Sequence, residues 1–478
     1  MKKGAISLVG SMLMLLGGVS GCGSATNEKE IVFWHCLGHE KMTNLTRIVD
    51  KFNEEHEKTD GYVIKPEKLA GAYDDLHDAV KTKLQAGTVP SITMGYPDSF
   101  AEYIGSKGEE NSQILKLDNL IAEDGDAFKK EEFVPAYYNE GTSYQYSGTW
   151  SMPLYKSTEA MYVNKQMFEG TTFYKTHKDE TYGNYGAKIG DPATWDWDTL
   201  VYVAKECQKE LGSKPDFHAL GYDSDANLFI SQMAMRNIPY TTAEGTGSQH
   251  FLFCDNNGEP NADLVNFAAE VLDFTSTGAL VTQGSYGSYA SDLFLSKKAM
   301  ITIGSTGGSS YNDPHGSTDA GFDCGLYSVP CYKGKENAKY IMQGPSLCFF
   351  NTRNPKKEKA AWEFYSKFVA DPELNAALAL ENSYDPVKVS SYDTKSYKTF
   401  TEAGKTAEGD DNVNESLQYR IPNLTATMKD NYITSPVFNG SAKARSEIGS
   451  IIKYAKTQKE EWTSTEKVTA SIKKIFLN

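Results

Sequence analysis

Ile31-Val32-Phe33-Trp34-His35-Cys36 is a compact β-branched and aromatic run, and behind it Leu45, Ile48, Val49 and Phe52 recur at i, i+3, i+4, i+7. The first stretch predicts a strand and the second an amphipathic helix. The alternation then repeats. Tyr62-Val63-Ile64 reads as a short strand. Residues 74–85 read as a helix through Leu76, Val80 and Leu84, stopped by Gly87, and residues 91–94 as a third strand. A β-α-β-α-β opening returns the chain in the same direction each time. It therefore predicts a parallel, doubly wound α/β sheet, whose ligands sit beyond the carboxyl ends of the strands.

Further along, residues 152–165 (MPLYKSTEAMYVNK) read as one long strand, followed by a Gly/Tyr/Thr-rich loop over 171–188. Residues 196–211 form a predicted helix, opened by Trp195-Asp196-Trp197-Asp198, whose carboxylates favour a helix N-terminus. Phe251-Leu252-Phe253-Cys254 runs into Asp255-Asn256-Asn257-Gly258, a hairpin signal. Residues 299–304 (AMITIG) read as a buried strand, and residues 355–369 as a helix that buries Ala361, Trp362, Tyr365, Phe368 and Val369. Asp410-Asp411 marks a solvated loop near the start of a mostly helical C-terminus. No solenoid-type repeat is visible.

The chain has 478 residues, enough for two or more cores, with 40% hydrophobic residues and a net charge of −15. That charge would repel phosphate backbones and anionic lipid surfaces, so nucleic acid is not an expected partner. Lys2 and Lys3, an uncharged apolar stretch over 5–19 and a small-residue ending read as a secretory signal over residues 1–21. No later stretch offers a long uncharged apolar run. Six cysteines beyond Cys22 (Cys36, Cys207, Cys254, Cys324, Cys331, Cys348) lack a CxxC pair and read as core thiols, with a Cys324–Cys331 disulfide as the alternative.

Val19-Ser20-Gly21-Cys22 resembles the lipobox of bacterial lipoproteins, which implies lipidation of Cys22, a polar tether over 22–29 and attachment to the outside of the cell membrane by acyl chains alone. Behind it, the chain resembles the extracellular solute-binding proteins of ATP-driven importers, in the maltose-binding and glycerol-3-phosphate-binding branch. The resemblance rests on several short motifs in the same order. These are Ile31-Val32-Phe33-Trp34-His35, Phe52-Asn53, Gly71-Ala72-Tyr73, Ala86-Gly87 with Pro90, and Tyr162-Val163-Asn164-Lys165. Thr194-Trp195-Asp196, Lys297-Lys298-Ala299-Met300-Ile301 and Tyr384-Asp385-Pro386-Val387 complete the series.

The resemblance implies a type II periplasmic-binding-protein-like fold, two α/β lobes joined by hinge crossings, with the ligand closed on between them. Carried onto this sequence, the first lobe spans 30–153 plus 302–343 and the second 154–301 plus 344–478. It further implies a monomer without cofactor or metal, whose partners are a carbohydrate and the permease subunits of the transporter.

The candidate ligand residues follow from the strand ends and from the family's pattern. Trp34 and His35 end the first strand, where an indole could stack on a sugar ring or simply fill the core. Tyr73, Tyr96 and Asp98 follow the second and third strands, and Asp98 can accept two hydroxyl hydrogen bonds. Ser157 stands where glycerol-3-phosphate-binding relatives place a ligand serine. Gly221-Tyr222 leads here to Asp223 and Asn227 rather than to that branch's tryptophan pair, a departure that favours hydroxyls over phosphate. Ser305, in Gly304-Ser305-Thr306-Gly307-Gly308, offers a hydroxyl on a loop that could otherwise cradle an anion. Gly344 would let a ligand approach the backbone. Tyr384 lies in the late motif, and Arg445, in Phe438-Asn439-Gly440-Ser441-Ala442-Lys443-Ala444-Arg445, resembles a family arginine that reaches the cleft.

Enzyme signatures are missing. Gly404-Lys405-Thr406 has Thr399 where a phosphate loop needs glycine, and neither G-x-S-x-G nor H-E-x-x-H occurs. His35 and Cys36 alternate faces and so do not combine with His39 and Glu40 as metal ligands. Asp255, Asn257 and Glu259 mimic half a calcium loop but fit the hairpin better. The leading expectation is a sugar-binding lipoprotein. Glycerol-3-phosphate or a glycerophosphodiester is the alternative ligand, and a surface glycoside hydrolase using carboxylates such as Asp98, Glu159 and Asp223 is the alternative from another class.

Overall fold

A computed structural model describes residues 28–69, 71–105, 109–316, 320–408, 416–457 and 465–477. The signal stretch, Cys22 and Asp410-Asp411 lie outside the described residues.

The opening alternation folds as its pattern predicts. Strand β1 (Glu30–His35) leads into α1 (His39–Glu57), which buries Leu45, Ile48, Val49 and Phe52. Strand β2 (Val63–Lys68) is followed by α2 (Tyr73–Gln85), which buries Leu76, Val80 and Leu84, and β3 (Ile92–Gly95) by α3 (Pro97–Ile104). The three strands are parallel, with β1 between its neighbours. Both faces of such a sheet are covered, so Phe33 and Trp34, on opposite faces, are both buried.

The long strand expected over 152–165 is two strands. Met152–Pro153 (β4) belongs to the first sheet and Glu159–Asn164 (β5) to a second, with 154–158 crossing between them. Lys156 sits inside that run and breaks its apolar character. The second sheet then takes β6 (His218–Tyr222), β7 (Leu280–Thr282), β8 (Ala299–Ser305) and β9 (Cys324–Ser328) in the order β9-β5-β8-β6-β7. Its helices include α4 (Trp197–Leu211), α5 (Asp225–Met235) and α6 (Ala262–Ser276). Asp196 caps α4 by accepting the Thr199 amide at 2.8 Å, as the tryptophan–aspartate group predicts.

Strand β10 (Ser346–Phe349) returns to the first sheet, between β3 and β4. The expected lobe boundaries are corrected accordingly. Residues 302–343 carry most of β8 and all of β9 and so belong to the second sheet, while 344–478 is divided. Helices α7 (Pro355–Glu363) and α8 (Pro372–Glu381) pack Ala361, Trp362 and Leu378 into the first core. Helices α9 (Leu417–Ala426), α10 (Ser441–Thr457) and α11 (Thr465–Leu477) follow, and Ile448, Ile451 and Val468 of the last two lie in the second core. A strand buried on both faces, such as β8, suits either sheet; its apolar run does not specify which neighbours it takes.

Smaller expectations are adjusted too. The 171–188 loop contains a short helix (Thr172–His177) and a two-residue hairpin. The turn at Asn257-Gly258 closes a single Cys254–Pro260 bridge, with the Asp255 carboxylate accepting the Asn257 and Glu259 amides at 2.8 Å. The helix over 355–369 becomes a π-helix from Phe364 onward, with all five expected residues buried. The six cysteines are free thiols, five of them buried, so the disulfide alternative is not realised.

Among the described residues, no helix is long and apolar enough to cross a membrane.

Candidate functional site

The first wall of the cleft rises from the carboxyl ends of β1 and β3. Tyr73 opens α2 and Tyr96 precedes α3, and their rings lie 4.8 Å apart. Tyr155, on the crossing segment, lies 4.2 Å from the ring of Tyr384, which follows α8. Burial raises the phenols of Tyr73, Tyr96 and Tyr155 above their ordinary range, with the neighbouring Tyr384 the next contributor for each. Lys41 of α1 stands 4.7 Å over the Tyr384 ring and donates to the Gly307 carbonyl at 3.3 Å. A Cβ on Gly307 would meet that ring at 2.6 Å, so only glycine lets this loop of the second lobe seat on Tyr384.

Arg445 of α10 reaches across from the second lobe. Its Nε lies 3.3 Å from Asp98 Oδ2, its guanidinium is 5.4 Å from the Tyr96 ring, and the Asp98 charge raises its pKa further. Asp98, Glu140, Ile230, Tyr240, Val437 and Arg445 enclose a cavity of about 30 Å³. That is room on the scale of water.

The expected residues of the second wall serve their own lobe. Glu159, at the start of β5, accepts from Tyr222 Oη at 2.6 Å and from Asn227 Nδ2 at 3.0 Å, and burial pushes its carboxyl up to about 7. Asp223 accepts the Ala290 amide at 2.7 Å and the Ser291 amide at 3.3 Å, and burial raises it to about 6. Tyr222 and Asn227 thus pair with Glu159 within the second lobe, and Asp223 Oδ1 pairs with its backbone amides. A strand end rich in polar residues looks the same in sequence whether those residues meet a ligand or the next loop. Ser157 and Ser305 do come together, Oγ to Oγ at 3.4 Å, where the crossing enters the second sheet.

Three other expectations move. Trp34 packs into the first core, and its Nε1 donates to Glu67 Oε2, its partner in register on β2, at 3.2 Å. Nδ1 of His35 accepts the Leu37 amide at 3.1 Å, and burial lowers its pKa to about 4, so the ring is neutral and holds the strand end. Gly344, at φ +93°, is required by the neighbouring crossing: a Cβ there would meet the Tyr155 carbonyl at 2.7 Å.

Sequence reasoning did not single out Tyr155, Lys41 or Tyr240. The charge of Lys156 inside an apolar run is the one signal that marks the crossing and hence Tyr155; Tyr240 lies on a loop without a motif. The three carboxylates weighed for hydrolysis are each engaged, Asp98 by Arg445, Glu159 by Tyr222 and Asn227, and Asp223 by backbone amides. Among the described residues, no three His, Cys, Asp or Glu side chains gather as a metal site.

The profile of the family described as bacterial extracellular solute-binding protein matches residues 47–407. The chain belongs to this family. This solute-binding protein is 24% identical over 383 residues to the sn-glycerol-3-phosphate-binding periplasmic protein of Rhizobium meliloti, covering 78% of each chain. It is 23% identical over 406 residues to the protein of that name from Escherichia coli K12, covering 82% of each. Among solved structures, maltose-bound MalE3 of T. maritima superposes with TM-score 0.63 at 16% identity, over 93% of this chain and 98% of that one. UgpB of Mycobacterium tuberculosis, in complex with glycerophosphocholine, gives 0.62 at 15% identity over 94% and 98%. These likenesses establish the two-lobe binding-protein fold, and the family and these neighbours are binding proteins rather than enzymes.

Proposed function

We propose that this solute-binding protein captures a mono- or oligosaccharide between its lobes and delivers it to the permease of an ATP-driven importer, held outside the membrane by lipid on Cys22. One observation carries the reading: Tyr73 pairs with Tyr96 and Tyr155 with Tyr384, and the Arg445 beside the Tyr96 ring has its charge already balanced by Asp98. Aromatic faces take up the apolar C–H surface of a sugar ring, and phenol hydroxyls exchange hydrogen bonds with its hydroxyls. A neutralised arginine leaves no net positive field for a free anion. Binding itself drives closure, because ligand contacts to both walls favour the closed state.

A second reading is favoured by Arg445 in the cleft and by the relatives that bind sn-glycerol-3-phosphate. Calorimetric titration of maltose, mannotriose and sn-glycerol-3-phosphate at two salt concentrations separates the two. A sugar should bind with little salt dependence, and a phosphate should weaken as salt screens Arg445. A screen in which only the phosphate raises the melting temperature overturns the sugar reading; a ligand at 100 times its Kd stabilises by about 2.7 kcal/mol.

A further inference from the structure

The first crossing and the chain around Gln343 run side by side as a two-stranded ribbon, in which Ser157 N–H donates to the Gln343 carbonyl at 2.9 Å and Gln343 N–H donates back at 2.7 Å. Directly opposed residues share a face of such a ribbon, and alternate residues along one strand share it too. Tyr155, Ser157 and Gln343 therefore look to one side. On that side Tyr155 meets Tyr384, and Ser157 meets Ser305.

Two polar atoms of this face have no hydrogen-bond partner although they are buried: Tyr155 Oη and Gln343 Oε1. Tyr155 is 1% exposed. Leaving such groups unpaired is costly, and folded chains avoid it unless something else completes them. We propose that Tyr155 Oη and Gln343 Oε1 are specificity determinants, a hydroxyl and a bare acceptor at the cleft floor that are completed by hydroxyls of the guest, one of which must donate to Gln343. This rests on the sugar reading and sharpens it. An amide oxygen accepts and cannot donate, so it receives a ligand O–H and rejects a fully ionised phosphate oxygen at the same place. Polyols and sugars with adjacent hydroxyls satisfy both atoms, while a phosphate end is directed away from the ribbon toward Arg445.

The test uses Tyr155→Phe and Gln343→Met in the full chain, with maltose and mannotriose as probes. Both variants should melt, without ligand, at the wild-type temperature or above it, because each removes an unpaired buried polar atom. Each should weaken the sugar that the wild type binds by about five- to tenfold, and Gln343→Met should reduce the preference for sugar over sn-glycerol-3-phosphate. A clear fall in the ligand-free melting temperature of both variants would show that these atoms have partners within the protein, which overturns the inference whether or not any probe binds. Unchanged sugar affinity in both variants overturns it as well. Failure of every sugar to bind the wild type defeats the parent reading instead, and the ligand-free melting result still decides whether the two atoms are unpaired.

Discussion

The two faces of the crossing ribbon are built on opposite rules. On one face the Lys156 ammonium is engaged by Glu140, by the Gly344 carbonyl at 3.2 Å and by Ser346 Oγ at 3.0 Å, and Ser346 donates in turn to Glu140 at 3.1 Å. On the other, Tyr155 Oη and Gln343 Oε1 have no partner. The two faces thus differ in how far their buried polar atoms are paired within the protein. The same division separates the walls of the cleft. The second lobe uses Glu159, Tyr222, Asn227 and Asp223 to tie its own loops together, whereas the first brings Tyr73 and Tyr96 ring to ring at its strand ends.

The largest effect expected from this contrast is on the saturated face. Lys156 is wholly buried and Glu140 nearly so. Removing one member of a buried pair leaves an uncompensated charge, which costs roughly 3–5 kcal/mol. Lys156→Ala should lower the urea midpoint accordingly with an unchanged m-value, while Tyr155→Phe, one residue away, leaves it where it was. A Lys156→Ala loss below about 1 kcal/mol would erase the distinction between the faces.

The second wall offers a pH test. The Glu159 carboxyl lies near 7 in the folded protein against 4.5 ordinarily, because burial disfavours its charge. Between those values the folded state holds a proton that the unfolded state has released, so the contribution of Glu159 is complete below about pH 4.5 and is lost as pH rises to about 7. Asp223 and Asp385, raised by burial to about 6 and about 7, act in the same sense. His35, lowered to about 4, acts in the opposite sense between 4 and 6.5. Glu159→Gln isolates the one term. Its stability relative to wild type should climb from pH 4.5 to 7, by up to about 3 kcal/mol for a fully buried group, with sugar affinity unaltered. A flat difference would mean that Glu159 is ionised in place and faces something other than Tyr222 and Asn227.

How far the sequence could carry the fold depends on the range of the forces involved. Strand and helix periodicity located Leu45, Ile48, Val49, Phe52, Leu76, Val80 and Leu84 correctly because burial on one face is a local pattern. The allocation of β8 and β10 to their sheets was not legible, since a doubly buried strand carries no mark of its neighbours. Of the expected residues, Tyr73 is brought to Tyr96 and Asp98 to Arg445, and each was legible as a residue flanking a strand end or matching the family's pattern. For Trp34 the sequence left ring stacking and core filling open, and its burial in the first core decides for the latter. Tyr240 and Gln343 gave no signal, because an unpaired buried atom exists only once its surroundings are assembled.

The smallest effect lies where the two walls meet. Asp98 and Arg445 join the lobes, yet the Arg445 side chain is about a third exposed, so solvent screens the pair and its loss costs at most about 1 kcal/mol. Asp98→Asn should therefore leave the melting temperature nearly unchanged while releasing the guanidinium, which still faces Tyr96. Under the sugar reading, maltose or mannotriose affinity shifts by no more than a few fold, because stacking and hydroxyl contacts persist. Under the phosphate reading, the freed Arg445 takes the anion without competition, and sn-glycerol-3-phosphate should bind more tightly, most of all at low salt. Measuring both ligands on this one variant by calorimetry shows which wall sets the specificity. A sugar whose binding collapses on this change alone would place its recognition on the ion pair rather than on the tyrosines, and would reverse the roles assigned to them.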